Sequence, residues 1–485
     1  MKLEHSALLR QQSLVDGQWV GADSGATSIV YNPATGENIG TIPVMGGDEA
    51  YKAIAAAHKA FERFRHTTVK QRSDMLRAWA DLLMNHIDDL ALIMTTEQGK
   101  PLAESKGEIT ISAEYIRWFA EEGRRAYGEI IPSPLAQRRL MTIKQPIGVV
   151  AHITPWNFPM SMGARKLAPA IAAGCANVLK PAGVTPFSAL ALAFLAEEAG
   201  IPPGVINVIT GKSSAIGSAM CESDIVKKIS FTGSTEVGRV LYRQSADNIK
   251  KLSLELGGNA PFIVFDDADI DEAVQGAMAA KFRNAGQTCV CANRIFVQSG
   301  IYDAFVDGVV EQMKAIKVGS GTEKGVTQGP LIDRDAVEKV EQQIEDAVSK
   351  GGVVRLGGKR IDVDSCFFQP TVIANCSTDM LFFREETFGP LAPIIRFEDE
   401  DEVIRMANDT IYGLAGFFYS QNVGRCFRVA EALDFGQIGV NAGVITTVEA
   451  PFGGVKQSGI GREGGREGLD EYLESKYIAF DGLGI

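Results

Sequence analysis

Between residues 148 and 234 short β-rich runs alternate with helical segments, and this alternation leaves few folds open. The runs are GVVAHITPWN (148–157), CANVLKP (175–181), GVINVITG (204–211) and KKISFTGS (227–234). Among the helical segments is TPFSALALAFLAEEAG (185–200), with Thr185 as the expected N-cap and Pro186 in the first turn. Strands separated by helices make a parallel sheet. A second α/β run extends from APFIVFDDADIDEAVQGAMAAKF (260–282) to IGVNAG (438–443), so two doubly wound units are expected. The length of 485 residues, beyond the size at which one core keeps growing, agrees. The 51 glycines suit an α/β protein with many tight turns.

The first part of the chain reads as helices. Segment 48–64 has Asp48 as its expected N-cap and an alanine-rich face, and 70–99 and 102–128 also carry helical spacing. The tail GLDEYLESKYIAFDG ends in a short exposed-looking strand, suited to pairing with another subunit.

Composition excludes several functions. A net charge of −12, from 48 basic and 60 acidic residues, argues against nucleic acid or an anionic membrane as the main partner. No apolar run approaches the roughly 20 residues that span a bilayer. The N-terminus is too polar for a secretory signal, so a cytoplasmic protein is expected. The seven cysteines (175, 221, 289, 291, 366, 376, 426) are odd in number and scattered, which fits a reducing compartment rather than a disulfide framework. None of the five histidines clusters with them, and no metal site is expected.

Four segments carry chemistry. In FTGSTEVG, Gly233 and Gly238 lie between a strand and a helix, where a phosphate is readily cradled; read alone, the segment is a tight strand-to-helix turn. In ITPWNFP (153–159) two prolines stiffen a loop around Trp156 and Asn157 at a strand end, and a pre-aimed Asn amide suits an oxyanion. It equally suits a turn residue that caps its own backbone. In LELGGNAP (254–261) Glu255 sits in an apolar run, where desolvation raises a carboxyl pKa as a general base requires. An ion-paired carboxylate at a sheet edge is the alternative. Finally, NAGQTCVCANR (284–294) places Cys289 and Cys291 in a polar, glycine-containing loop where a reactive thiolate can sit, although most cysteines are inert core residues.

Together, and in this order (PWNFP, FTGSTEVG, LELGGNAP, GQTCVCANR, then EETFGP at 385–390 and PFGGVKQSG at 451–459), these segments resemble the aldehyde dehydrogenase superfamily over nearly the whole chain. The resemblance implies an aldehyde dehydrogenase fold: two doubly wound Rossmann-like domains plus a small β oligomerisation arm. Residues 1–128 and 148–258 would bind the dinucleotide, 259–471 would be catalytic, and 129–147 with 472–485 would bridge subunits of a homodimer or homotetramer. Cys289 would be the nucleophile, Asn157 with the Cys289 N–H the oxyanion site, and Glu255 the general base. Thr154, Pro155, Trp156, Lys180, Gly183, Gly233, Ser234, Gly238, Leu256, Glu386 and Phe388 would bind the cofactor.

Within the superfamily the likeness is nearest to the succinate-semialdehyde dehydrogenase branch. That branch implies a distal carboxylate held by Arg165 and Arg283, with Thr446 where the branch has a serine, and a 4-aminobutyrate degradation route. Glutarate semialdehyde and 2-oxoglutarate semialdehyde remain alternatives, as does a thiol esterase working through Cys289. KPAG (180–183) replaces the KP-x-E of many NAD-using members. Without that glutamate a 2′-phosphate meets no repulsion, so NADP is expected to serve at least as well as NAD. Cys291 matches only this branch and is a redox candidate; an extended 289–291 segment would put both thiols on one side.

Overall fold

The β-rich runs pair as predicted. In the computed structural model, which describes residues 1–482, five parallel strands form the centre of an eight-stranded sheet. Their spatial order is Lys251–Glu255, Val226–Thr232, Val149–Ile153, Ala176–Lys180, Ile206–Val208. Antiparallel Gly459–Ile460 closes one edge, and Ser13–Val15 with Gln18–Val20 closes the other. The earliest parallel strand, Val149–Ile153, lies in the middle, and the strand order reverses between it and Val226–Thr232. At such a reversal the connections leave in opposite directions and a crevice opens at the strands' carboxyl ends.

The second sheet has seven strands, in the order Val353–Leu356, Thr371–Cys376, Leu391–Phe397, Ala292–Gln298, Ala260–Val264, Ala415–Tyr419, Gln437–Val440. All but Val353–Leu356 are parallel to their neighbours. A strand buried on both faces needs apolar residues at successive positions, and the sequence supplies them. Phe262 and Ile295 enter the core on one face, Ile263 and Phe296 the core on the other.

Several helix boundaries differ from the sequence reading. The 70–99 run is two helices, Val69–Asn85 and Ile87–Gln98, divided at His86. Thr68 opens the first: its hydroxyl accepts from Gln71 N–H (3.2 Å), and Gln71 Oε1 accepts from Thr68 N–H (2.8 Å). Helix Gly47–Phe64 is capped at Gly46, not Asp48, because Glu49 reaches back to accept the Gly46 N–H (2.8 Å).

Helix Phe187–Glu198 is not capped by Thr185 either. The Thr185 hydroxyl instead donates to the Trp156 carbonyl (3.3 Å). The carboxyl of Glu97, from helix Ile87–Gln98, accepts the N–H groups of Phe187 (2.7 Å) and Ser188 (2.8 Å). A buried tertiary acceptor has displaced a local one.

Two further features matter for the site. Helix Ser161–Ala173, buried at all 13 positions, packs on helix Leu102–Glu122 and carries Arg165 and Lys166 side by side. A three-stranded antiparallel sheet of Glu129–Ile131, Arg139–Pro146 and Leu473–Phe480 exposes Ile130, Tyr477 and Phe480. Residues 483–485 of the expected bridging arm lie outside the described residues. No helix among the described residues is long and apolar enough to cross a membrane.

Glu97→Ala removes both acceptors from a buried helix start. Each stranded N–H costs about 1–3 kcal/mol, so the urea unfolding midpoint falls, whereas Thr185→Val leaves it nearly unchanged by comparison.

Candidate active site

The carboxyl edge of the first sheet faces the amino edge of the second. From the first edge come Thr154–Phe158 after strand Val149–Ile153, Lys180, Gly233 and Ser234 after Val226–Thr232, and Glu255 with Leu256. From the second come Gln287–Cys289 ahead of strand Ala292–Gln298 and Glu386–Phe388 ahead of Leu391–Phe397. Two cavities of about 310 and 280 Å³ occupy the cleft and share Phe158, Met162 and Cys289.

Cys289 is half-buried. Burial pushes its thiol up to about 12, against the pull of Arg165, so a base must take its proton at neutral pH. The Asn157 Nδ2 donates one hydrogen to the Gln287 carbonyl (3.0 Å), two residues before the cysteine. An amide nitrogen carries two hydrogens, so one remains for a ligand.

Glu255 is fully enclosed, and neither carboxyl oxygen has a hydrogen-bond partner among the described residues. Burial raises its pKa well above the usual range, and the neighbouring charge of Glu463 raises it further. Glu463 is buried too, but Lys166 and Arg165 hold it down to about 2. It accepts Arg165 Nε at 2.6 Å and pairs with Lys166 Nζ. Two neighbouring buried carboxyls are thereby driven apart, one ionised and fixed, one ready to carry a proton.

The loop after Cys289 is not extended. The Cys291 N–H donates to the Thr288 carbonyl (3.1 Å), closing a turn over 288–291, and the Cys291 thiol donates to the Lys281 carbonyl (3.3 Å). Cys291 lies buried beside helix Ile270–Phe282 and borders neither cavity. Both cysteines are free thiols.

The larger cavity collects Arg165, Arg283 and Thr446, with Tyr115, Ser161 and Phe452. The arginines are not equivalent. Arg165 is locked: Glu463 takes its Nε, its Nη2 lies 3.3 Å from Met162 Sδ, and its guanidinium sits 4.1 Å from the Phe452 ring centroid. Burial opposes its charge, yet Glu463 keeps its pKa above that of an ordinary arginine. Arg283 lies 5.5 Å from the Phe158 ring centroid and has no carboxylate within salt-bridge distance among the described residues.

The smaller cavity is lined by Pro155, Trp156, Gly233, Ser234, Leu256, Glu386 and Phe388. Trp156 meets Phe388 edge-on at 5.5 Å, with Phe388 at a left-handed φ of +55°. Burial raises Glu386 to about 7, and its Oε1 accepts the Gly258 N–H (3.0 Å). Ser234 caps helix Thr235–Gln244, whose free N–H groups favour a phosphate. Gly238 has a packing role, since a Cβ there would lie 2.5 Å from Leu256 Cδ2.

The Thr154 N–H donates to the Lys180 carbonyl (3.1 Å), tying two strand ends together. The Lys180 ammonium donates only to the Pro181 carbonyl (3.0 Å), and burial alone lowers it to about 8, with no carboxylate contributing. A Cβ on Gly183 would meet open space. Lys180 and Gly183 do not line the smaller cavity; its helix N–H donors and aromatic wall fit a nicotinamide dinucleotide. Among the described residues no group of three or more His, Cys, Asp or Glu side chains is placed to hold a metal ion.

Sequence reading missed Glu463, Lys166 and Tyr115. Lys166 stands next to Arg165 and was open to inference from the helical spacing; Glu463, in GREGG, carries no local signal because its partners are about 300 residues away.

Residues 19–478 match the family model described as "Aldehyde dehydrogenase family". The chain is 56% identical over 478 residues to the succinate-semialdehyde dehydrogenase [NADP(+)] of Escherichia coli (strain K12), covering 99% of each. It is equally, 56%, identical to the glutarate-semialdehyde dehydrogenase of Pseudomonas aeruginosa over 483 residues, covering 100% of both. The crystal structure of succinate-semialdehyde dehydrogenase from Burkholderia pseudomallei superposes with a TM-score of 0.98 at 55% identity, over 99% of this chain and 100% of that one.

With the thiol held near 12, the thiolate fraction rises about tenfold per pH unit below that value. Alkylation of Cys289 by iodoacetamide in the cofactor-free protein, followed by mass spectrometry, therefore climbs steadily from pH 6 to 10; a plateau near pH 7 would contradict the burial argument.

Proposed function

We propose, from the premise that this chain belongs to the aldehyde dehydrogenase family, that it oxidises succinate semialdehyde to succinate, with NADP serving at least as well as NAD. The coarser statement, an NAD(P)-dependent semialdehyde dehydrogenase, holds whichever chain length is preferred. The single observation that carries the substrate class is Arg283: a guanidinium on a mostly apolar cavity, unpaired among the described residues, in the chamber that ends at Cys289. A planar fork of donors suits a carboxylate, and locked Arg165 adds a second positive charge in the wall. Thr446 borders the same cavity and bears on chain length; glutarate semialdehyde is the second reading, favoured by the equally similar relative.

In this reading the Cys289 sulfur gives up its proton and adds to the aldehyde carbon. Glu255, close enough for its charge to bear on the thiol, is the acceptor the enclosed site offers. The second hydrogen of Asn157 Nδ2 and the Cys289 N–H hold the oxyanion. A bound nicotinamide dinucleotide would supply the hydride acceptor that turns this Cys289 adduct into a thioester. Once Glu255 has passed the thiol's proton to solvent, its carboxylate takes a proton from the water that attacks the thioester carbon; the C–S bond breaks, the Cys289 thiolate leaves and the acid is released. Trp156, Gly233, Ser234, Glu386 and Phe388 would hold the dinucleotide, and Lys180 the 2′-phosphate.

We assign residues 1–128 with 148–258 to dinucleotide binding, 259–471 to catalysis, and 129–147 with 472–485 to subunit bridging. The exposed Ile130, Tyr477 and Phe480 support a dimer or tetramer built through that arm. A cytoplasmic location and a role in 4-aminobutyrate degradation accompany the succinate semialdehyde reading.

Arg283→Gln lowers kcat/KM for succinate semialdehyde about a hundredfold, the equivalent of the roughly 1.5–3 kcal/mol carried by hydrogen bonds to a charged group. For butyraldehyde it changes little. Equal losses for both aldehydes would remove the distal-carboxylate assignment, and glutarate semialdehyde in the same panel decides chain length.

Lys180 is charged below about pH 8 and loses its charge above it. KM for NADP accordingly rises as pH passes 8, and KM for NAD does not follow. Parallel profiles for the two cofactors would contradict a role at the 2′-phosphate.

A further inference from the structure

Asn284 opens the loop that ends at Cys289, in a conformation that needs explaining. Its φ of +52° and the +55° of Ala285 are left-handed, a region asparagine tolerates and alanine rarely enters. Backbone of this kind persists only where surrounding bonds hold it.

Those bonds are present. The Asn284 N–H donates to Glu104 Oε2 on helix Leu102–Glu122 (2.8 Å). Its side-chain oxygen accepts from Gln98 Nε2 (3.0 Å), and its Nδ2 donates to both the Asn157 carbonyl (3.1 Å) and the Gln287 carbonyl (3.2 Å). The Gln287 carbonyl is also the acceptor for the Asn157 side chain (3.0 Å). One carboxamide therefore grips both the backbone of Asn157 and the group on which the Asn157 amide rests. Lys100 Nζ adds a second donor to the Asn157 carbonyl (2.6 Å). Asn284 borders neither cavity, and its side-chain oxygen and amide nitrogen are taken up by these protein bonds.

We propose that Asn284 is a positioning residue of the oxyanion site, clamping the Asn157 loop to the Cys289 loop so that the free Asn157 amide hydrogen stays aimed beside the sulfur. This rests on the reading of Asn157 as the oxyanion donor. The clamp acts on the step in which charge develops on the carbonyl oxygen, and it leaves substrate binding and thiol chemistry that builds no oxyanion untouched. Small displacements of such a donor cost up to about a hundredfold in rate.

The test uses Asn284→Gly, which accepts a positive φ and keeps the loop backbone. Circular dichroism should match the wild type; the thermal midpoint should fall with the lost buried hydrogen bonds but stay well above the assay temperature. With succinate semialdehyde and NADP, kcat should fall about a hundredfold, with KM for the aldehyde and NADP binding by fluorescence unchanged. Iodoacetamide should alkylate Cys289 within about twofold of the wild-type rate, since that displacement forms no oxyanion. Asn284→Asp, which keeps the left-handed backbone and replaces the donor with an acceptor, should be slowed as much.

The double variant Asn157→Ala/Asn284→Gly should be no slower than Asn157→Ala, because the clamp then has nothing to aim. A wild-type kcat in Asn284→Gly overturns the proposal, as does a loss that multiplies with that of Asn157→Ala or an alkylation rate that falls in step with kcat. If Asn157→Ala is slow and Asn284→Gly is not, the clamp alone is wrong; if Asn157→Ala keeps its kcat, the oxyanion reading falls and the clamp with it.

Discussion

Glu463 and its two cations set the electrostatic terms for everything around the sulfur. A carboxylate enclosed as fully as this one stays ionised only if partners replace its water, and Arg165 and Lys166 do so from adjacent positions on one buried helix. Burial pushes Glu255 toward its protonated form, and this fixed charge beside it pushes it further. Arg165 is spent on the ion pair, which leaves Arg283 as the cation whose donors face the larger cavity unclaimed. Removing one partner would leave the others buried and uncompensated, so the triad behaves as one unit.

Much of this was legible in the sequence where a signal is local. The parallel strands showed as short apolar runs because a strand covered on both faces must be apolar at successive positions, as Ala260–Val264 is. The loops after Ile153 and Thr232 showed because prolines and glycines mark the places where a chain must turn. Asn157 in the first of those loops, Glu255 at the end of strand Lys251–Glu255 and Cys289 in its own glycine-containing loop were singled out as candidates by residue type; the fold puts Asn157 and Cys289 on one cavity and Glu255 enclosed behind it, near enough for its charge to bear on the thiol.

What escaped was tertiary. Thr185 has the residue type of a helix cap, yet Glu97, some ninety residues away, supplies the acceptor while the threonine hydroxyl holds Trp156. Cys289–Val290–Cys291 suggested two thiols on one side, but the Thr288–Cys291 turn sends the second thiol to the Lys281 carbonyl. Glu463 gave no hint at all, since its neighbours in sequence say nothing of Arg165. In each case a group far along the chain decides the local geometry, and periodicity records only local geometry.

The two cavities touch only at Phe158, Met162 and Cys289. The walls of the larger come chiefly from helices Leu102–Glu122 and Ser161–Ala173, those of the smaller from strand ends of both sheets. On the proposed function, tail recognition and nucleotide recognition are separate inheritances that meet at the Cys289 sulfur. A lineage can exchange its aldehyde by altering one chamber while the other passes down intact, and relatives of equal overall similarity then differ in what they oxidise.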